Sequence, residues 1–189
     1  MKNLLRLVLC ASLAASFFLL SGCASSIMVD VTPIASDQTH ALVTFLRPTK
    51  FFGGGIQFGI WDSDKFVGIL AAGSYVQYLA DPGEHLFLGR AENWSYVKAT
   101  LEAGKSYYII GTVFPGVMVA RIAFNPVTKG DSTSNEDIDR WIKGLKATAI
   151  MPDKIAEYEA PRLAQVRKAV EEFKAGNVKY TELKADDNR

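Results

Sequence analysis

Between residues 40 and 128, short apolar segments alternate with turn residues, and this pattern predicts a β-rich domain. Asp81-Pro82-Gly83-Glu84 is typical of a type II turn, because Pro82 presets φ at the second position and Gly83 accepts the positive φ of the third. Regular short strands favour an antiparallel β-sandwich, here of about seven or eight strands. The predicted strands are Ala41–Arg47, Gln57–Trp61, Phe66–Leu70, Tyr75–Leu79, His85–Arg90, Trp94–Leu101, Ser106–Phe114 and Met118–Asn125.

The strand Trp94–Leu101 alternates between apolar and mixed positions. Ser95, Val97, Ala99 and Leu101 share one face, which we expect to be buried. The other face carries Trp94 and Tyr96 together with Lys98 and Thr100, so it is predicted to meet solvent. Exposed aromatic side chains stack on sugars or anchor protein partners, which makes Trp94 and Tyr96 a candidate binding patch.

The strand Ser106–Phe114 is apolar on both faces, so something besides a second sheet must cover it. The C-terminal segment 134–176 supplies candidate helices, expected to pack on one face of the sandwich. Ser134 followed by Asp137 resembles a capping box, and Pro161 predicts a kink or a fresh helix start. The polar tail 177–189 is expected to fray.

The N-terminal segment is typical of an export signal. Lys2 and Arg6 precede an uncharged apolar stretch, which is shorter than the roughly 20 residues needed to span a bilayer. The following Leu20-Ser21-Gly22-Cys23 resembles the lipobox of bacterial lipoproteins. The resemblance implies a signal peptide over residues 1–22 and lipidation of Cys23. The polar, non-periodic sequence that follows predicts a tether over residues 23–39, in which Ile27-Met28-Val29 could form a short edge strand or simply lie against the body.

Composition narrows the possible partners. Removal of Lys2 and Arg6 with the signal leaves 19 basic against 20 acidic side chains, a net charge of −1, which gives no electrostatic reason to bind nucleic acid. Cys10 leaves with the signal, so Cys23 is the one cysteine of the mature chain. No thiol then remains for a disulfide or a cysteine-based metal site.

Several short motifs lie in a recurring order in the β region. They are Arg47-Pro48, Gly73-Ser74-Tyr75, Pro82-Gly83-Glu84-His85 and Ala103-Gly104-Lys105-Ser106-Tyr107-Tyr108. Together they are similar to a family of small bacterial domains, common in lipoproteins, that is known only as a domain of unknown function. The resemblance covers about residues 40–127 and implies a β-sandwich, often on a lipid tether. It implies no activity.

The two histidines and the glycine-rich segment each have a possible structural role besides a functional one. His85 follows the Pro-Gly turn, where its ring can bond the turn backbone, and His40 is expected at the surface. Gly53-Gly54-Gly55 lacks the Gly-Lys-Ser/Thr of a phosphate-binding loop. The preceding Phe51 and Phe52 could pack in the core or form a contact loop near lipid. We expect no catalytic residue, no metal site and no cofactor.

The sequence therefore predicts a non-catalytic domain of the bacterial envelope that binds a protein or glycan partner. The alanine that follows Cys23, in place of an aspartate, indicates the periplasmic side of the outer membrane under enteric sorting rules. Two alternatives stay open. One is a hydrolase that acts on an envelope polymer, and the other is a structural component of an envelope assembly.

Overall fold

A computed structural model describes residues 27–48, 53–116 and 119–189. The signal peptide, Leu20, Ser21, Gly22 and Cys23 lie outside the described residues, as do Phe51 and Phe52. Among the described residues, no helix has the length and apolar character needed to cross a membrane.

The chain is mainly β, and its strands form two sheets. The first sheet has the order β1-β10-β5-β2-β8-β9, and the second has the order β11-β7-β6-β3-β4. The strands are β1 Met28–Asp30, β2 Ala41–Arg47, β3 Phe58–Asp62, β4 Lys65–Leu70, β5 Ser74–Ala80, β6 Gly83–Arg90, β7 Trp94–Leu101, β8 Ser106–Phe114, β9 Arg121–Pro126, β10 Lys146–Ile150 and β11 Thr181–Leu183.

The main apolar core lies between the two sheets. Alternation along β2 points Val43 and Phe45 into it, and both side chains are fully buried. The Phe45 ring meets Phe87 of β6 edge to face at 5.3 Å and Phe124 of β9 at 5.5 Å. The contact with Phe87 joins the inner faces of the two sheets, whereas the contact with Phe124 lies within the first sheet. Aromatic pairs of this kind contribute about 1 kcal/mol each beyond the area that they bury.

The prediction of an antiparallel arrangement with seven or eight strands is wrong. The described residues form 11 strands, and the sheets are mixed. β2 pairs in parallel with β8, β10 with β5, and β11 with β7. The physical reason is that turn residues reveal hairpins between neighbouring segments, whereas parallel pairs join strands that are distant along the chain.

Three helices follow the main β region: α1 Asn135–Gly144, α2 Ile155–Glu159 and α3 Leu163–Lys174, with a 3₁₀ turn at Pro152–Lys154 before α2. The capping box is confirmed, because the Ser134 hydroxyl accepts from the Asp137 N–H while the Asp137 carboxylate accepts from the Ser134 N–H, each at 3.1 Å. A new helix begins just after Pro161, as expected.

Helix α3 packs on the outer face of the second sheet. Val166 and Ala169 of α3 are buried there, in a second apolar cluster with Leu88. Ile138 of α1 is also buried. Burial, and after it the negative charge of the α1 residue Asp139, raises the pKa of Tyr108.

Both ends of the described chain join the sheets. Residues 28–30, within the predicted tether, form the edge strand β1, which agrees with the expectation that Ile27-Met28-Val29 could be a short edge strand. The polar tail does not fray, because Leu183 of β11 is buried against the core. The buried carboxylate of Asp187 then accepts from the backbone N–H groups of Lys129 and Lys184 at 2.9 and 2.8 Å. The polar composition predicted a frayed tail, but burial of Leu183 and the hydrogen bonds of Asp187 hold the segment in place.

Candidate functional site

A cleft of about 470 Å³ lies at one end of the second sheet. It lies where β3 begins, β6 ends and β7 begins, under the junction of α2 and α3. Its lining combines aromatic rings, guanidinium groups and side-chain amides, contributed chiefly by Gln57, Arg90, Trp94, Tyr158, Arg162 and Gln165.

The sheet side of the cleft carries Arg90 and Trp94. These residues are direct cross-strand partners in the β6–β7 hairpin, so their side chains lie on the same face. The Arg90 guanidinium lies 5.2 Å from the centre of the Trp94 ring. Asn93 fixes the hairpin tip to β9, because its side chain accepts from the Ile122 N–H at 2.8 Å and donates to the Ile122 carbonyl at 3.0 Å.

The helical side repeats this combination. Arg162 follows Tyr158 by four residues, and its guanidinium lies 3.7 Å from the centre of the tyrosine ring. It also donates to the Tyr158 carbonyl at 2.9 Å. The Tyr158 ring stacks on Phe66 of β4 at 4.2 Å, and the Glu159 carboxylate accepts from the Phe66 N–H at 2.7 Å. Helix α2 is therefore held firmly against the sheet.

The base of the cleft contains Trp61, whose side chain is only 1% exposed. A Cβ atom on Gly59 would lie 3.3 Å from both the Trp61 indole nitrogen and the Tyr158 hydroxyl. Because Gly59 has no side chain, the indole nitrogen and the tyrosine hydroxyl can both lie close to its backbone. Tyr158 is only partly buried, so its hydroxyl can bond a ligand oxygen, whereas Trp61 forms the buried base of the cleft.

The charge of the cleft favours an anion. Across the described residues, neither Arg90 nor Arg162 pairs with a carboxylate. Glu92 is the acidic residue of the lining, so the two guanidinium groups leave a net positive charge. A guanidinium that stacks on a ring still presents its in-plane N–H groups, which match a carboxylate in pairs.

The rim of the cleft is supported from below by Arg47, which ends β2. Its guanidinium is buried and donates to the carbonyls of Gly53 and Ile56, the former at 2.6 Å. Gly55 and Ile56 line the cleft, so Arg47 positions that part of its wall. Its guanidinium also lies 4.6 Å from the centre of the Phe58 ring.

The other polar cluster surrounds His85. As predicted, its ring bonds the turn backbone, with Nε2 2.7 Å from the Asp81 carbonyl. Nδ1 lies 2.8 Å from the Asp62 carboxylate, which also accepts from the Tyr78 hydroxyl at 3.1 Å. Both neighbours of the ring are acceptors, so the protonated ring can donate to both at once. The hydrogen bond to Asp62 raises the pKa of His85, against the effect of burial. The ring thus ties the turn to β3.

The candidate patch of Trp94 and Tyr96 does not exist as predicted. Trp94 lines the cleft, but Tyr96 is only 6% exposed, because its ring stacks under Phe173 of α3 at 6.3 Å. Alternation identified the outer face of β7 correctly but could not show that a helix covers it.

Sequence reasoning missed Arg90, Tyr158 and Arg162. Two local signals could have indicated them. Tyr158 and Arg162 have the i, i+4 spacing that places side chains together on a helix, and Arg90 precedes Trp94 by a hairpin turn.

Around His40, the ring Nδ1 lies 2.8 Å from the Asp37 carboxylate. In the described part of the chain, no group of three or more His, Cys, Asp or Glu side chains could hold a metal ion.

No family model, no curated protein and no solved structure matches this chain. The resemblance of residues 40–127 to a domain family of unknown function therefore stays a prediction. The geometry of the cleft therefore provides the evidence on function.

Proposed function

We propose that this chain is a lipid-anchored, non-catalytic domain of the bacterial envelope, and that its cleft binds a glycan that carries a carboxylate. The two guanidinium–aromatic pairs that line one cleft, Arg90 with Trp94 and Arg162 with Tyr158, carry the proposal. The two packed sheets are then a mixed β-sandwich that presents the cleft at one end.

The lining supplies the groups that such a ligand requires. A sugar ring presents apolar C–H faces, which stack on aromatic side chains such as Trp94. A carboxylate takes paired hydrogen bonds from a guanidinium, and its charge is stabilised where the cation has no other partner. Gln57 and Gln165 can donate to and accept from hydroxyl groups.

The location of the domain is inferred from its N-terminal sequence. The lipobox-like Leu20-Ser21-Gly22-Cys23 supports export and lipidation, and acyl chains on Cys23 would hold the domain on the periplasmic side of the outer membrane. A protein partner with an acidic surface side chain offers the same charged group, but it does not offer the sugar face.

The test is calorimetric titration of the mature chain carrying Cys23→Ser. The ligand is an N-acetylated aminosugar disaccharide that carries a carboxylate, and the comparison is the same disaccharide without it. Trp94→Ala and Arg162→Gln should each weaken binding about tenfold or more, because each removes a contact worth roughly 1–3 kcal/mol. Arg162 is exposed, so Arg162→Gln should change the unfolding temperature little. Trp94 also packs against the second apolar cluster, so Trp94→Ala should lower that temperature, and its binding is measured well below it.

Arg121→Gln is the matched control, because Arg121 is an exposed arginine on β9. It should bind like the unmodified chain. Equal affinity for the two disaccharides would exclude the carboxylate as the recognised group. Binding that survives both cleft substitutions would show that the ligand lies elsewhere.

A further inference from the structure

The segment that follows Cys23 is built into the first sheet. β1 pairs with β10 in register, with Met28 opposite Ile150 and Asp30 opposite Thr148. The backbone bonds continue past both ends of the strand, because Ile27 accepts from the Met151 N–H at 2.9 Å and the Val31 N–H donates to Ala147 at 3.0 Å.

The chain beyond β1 is also held in place. The Gln77 side chain of β5 accepts from the Ile34 N–H at 2.7 Å and donates to the Ile34 carbonyl at 3.4 Å. Residues 27–34 thus form one fixed edge of the domain, which we call the anchored edge.

This arrangement shortens the connection to the membrane. A free tether over residues 23–39 would reach about 50 Å at roughly 3.3 Å per residue. With the sheet beginning at Ile27, four Cα–Cα steps separate it from Cys23. At 3.8 Å each they span at most about 15 Å, so the Ile27 end of the anchored edge cannot lie far from the bilayer surface if Cys23 is lipidated.

The anchored edge has the surface chemistry that a bilayer favours. Val29, Val31 and Ile34 are each 39% exposed, and they account for three of the large apolar side chains that are exposed in the described ranges. Val29 and Val31 lie on the same face by alternation along the strand. The nearby charges of Asp30 and Lys146 offset each other as an ion pair at 3.4 Å.

We propose that the anchored edge lies on the lipid surface, so that the domain is docked on the membrane rather than suspended from it. This inference rests on the proposed lipidation of Cys23. On the membrane, the exposed apolar side chains of the anchored edge are buried together with the acyl chains, and both contribute to the free energy of membrane binding. A cavity of about 570 Å³ beside Ile27 shares Gln57 with the glycan-binding cleft, so a docked domain would meet its ligand close to the membrane.

The mature chain is suited to a fluorescence test, because its one native cysteine is the lipidated Cys23. Val31→Cys places a single reactive thiol on the anchored edge. Val119→Cys is the matched control, because Val119 is an exposed valine just before β9, at the opposite edge of the same six-stranded sheet. Five strand spacings of about 4.8 Å separate those edges by roughly 24 Å.

Each variant is made from the full chain with its signal, labelled with a polarity-sensitive dye and reconstituted into phosphatidylethanolamine–phosphatidylglycerol vesicles that contain nitroxide-labelled lipid. The dye at position 31 should lose most of its fluorescence, and the dye at position 119 should lose little. Equal quenching at the two positions, or none at position 31 in chains that float with the vesicles, would overturn docking alone. Chains that do not float with the vesicles would refute the lipid anchor, and with it this inference.

Discussion

Replacement of Arg47 by methionine tests how the rim of the cleft is held. Arg47 is only 4% exposed and forms no ion pair with any described residue, so its charge is compensated by backbone carbonyls and by the Phe58 ring. Burial lowers the pKa of its guanidinium. Arg47→Met retains most of the length and apolar volume of the side chain but removes every donor.

The cost can be worked out bond by bond. The Gly53 carbonyl keeps a partner, because it also accepts from the Ile56 N–H at 3.0 Å. The Ile56 carbonyl loses the Arg47 bond, but it is only partly buried in the wall of the cleft, where water can replace the donor. The buried Leu70 carbonyl also loses an Arg47 bond, of 3.4 Å, and a buried acceptor left unsatisfied costs about 1–3 kcal/mol. Loss of the cation–π contact with Phe58 adds about 1–2 kcal/mol. Relief from burying an unpaired charge offsets part of this sum, so we expect a net loss of about 2 kcal/mol.

The measurement is urea unfolding of the mature Cys23→Ser chain, followed by tryptophan fluorescence. Arg47→Met should lower the midpoint with an unchanged slope, whereas Arg121→Met, at an exposed position on β9, should stay within about 0.5 kcal/mol of the parent. Disaccharide binding should also weaken in Arg47→Met, because Gly55 and Ile56 line the cleft. A midpoint equal to or above that of the parent would refute the stabilising role of the buried guanidinium.

The contacts of His85 and Tyr96 and the proposed lipidation of Cys23 can each be tested. The raised pKa of His85 means that its hydrogen bond to Asp62 stabilises the fold fully below pH 6.5, the ordinary histidine value, and is lost as the pH rises through the higher folded-state pKa. The unfolding free energy of the unmodified chain should therefore fall as the pH rises above 6.5. In His85→Gln the unfolding free energy should depend less on pH over the same range. An identical pH dependence in the two chains would contradict this prediction. Tyr96→Ala should lower the unfolding free energy by about 3 kcal/mol, because the ring is buried under α3, and an unchanged urea midpoint would show that the ring is not part of the core. Cys23→Ser should move the chain from the membrane fraction to the soluble fraction after cell lysis, and retention in the membrane would count against lipidation.

Local signals in the sequence predicted the strands well. The bounds of β2, β7 and β8 are those expected from alternation and turn residues, and the capping box at Ser134 is confirmed. These features depend on residues only a few positions apart, so the sequence carries them directly. Gly83 has a positive φ, as expected, but its value of 130° and its position as the first residue of β6 do not fit the predicted type II turn.

The strands that were missed depend on distant partners. Lys146–Ile150 pairs with β1 and β5, and Thr181–Leu183 pairs with β7. Neither segment has enough apolar alternation to form a strand alone. Tyr96 illustrates the same limit, since its face was predicted correctly but its burial depends on a helix about 70 positions later.

The cleft was hard to predict because these long-range pairings build it. The helices that carry Tyr158 and Arg162 lie between β10, which joins the first sheet, and β11, which joins the second. β11 pairs with β7, the strand that carries Trp94, and the Tyr158 ring stacks on Phe66 of β4, so residues distant along the chain bring the two sides of the cleft together. β10 pairs with β1, so the segment just before these helices also joins the anchored edge. The proposed ligand site and the proposed membrane-facing edge therefore both depend on pairings that local sequence patterns do not reveal.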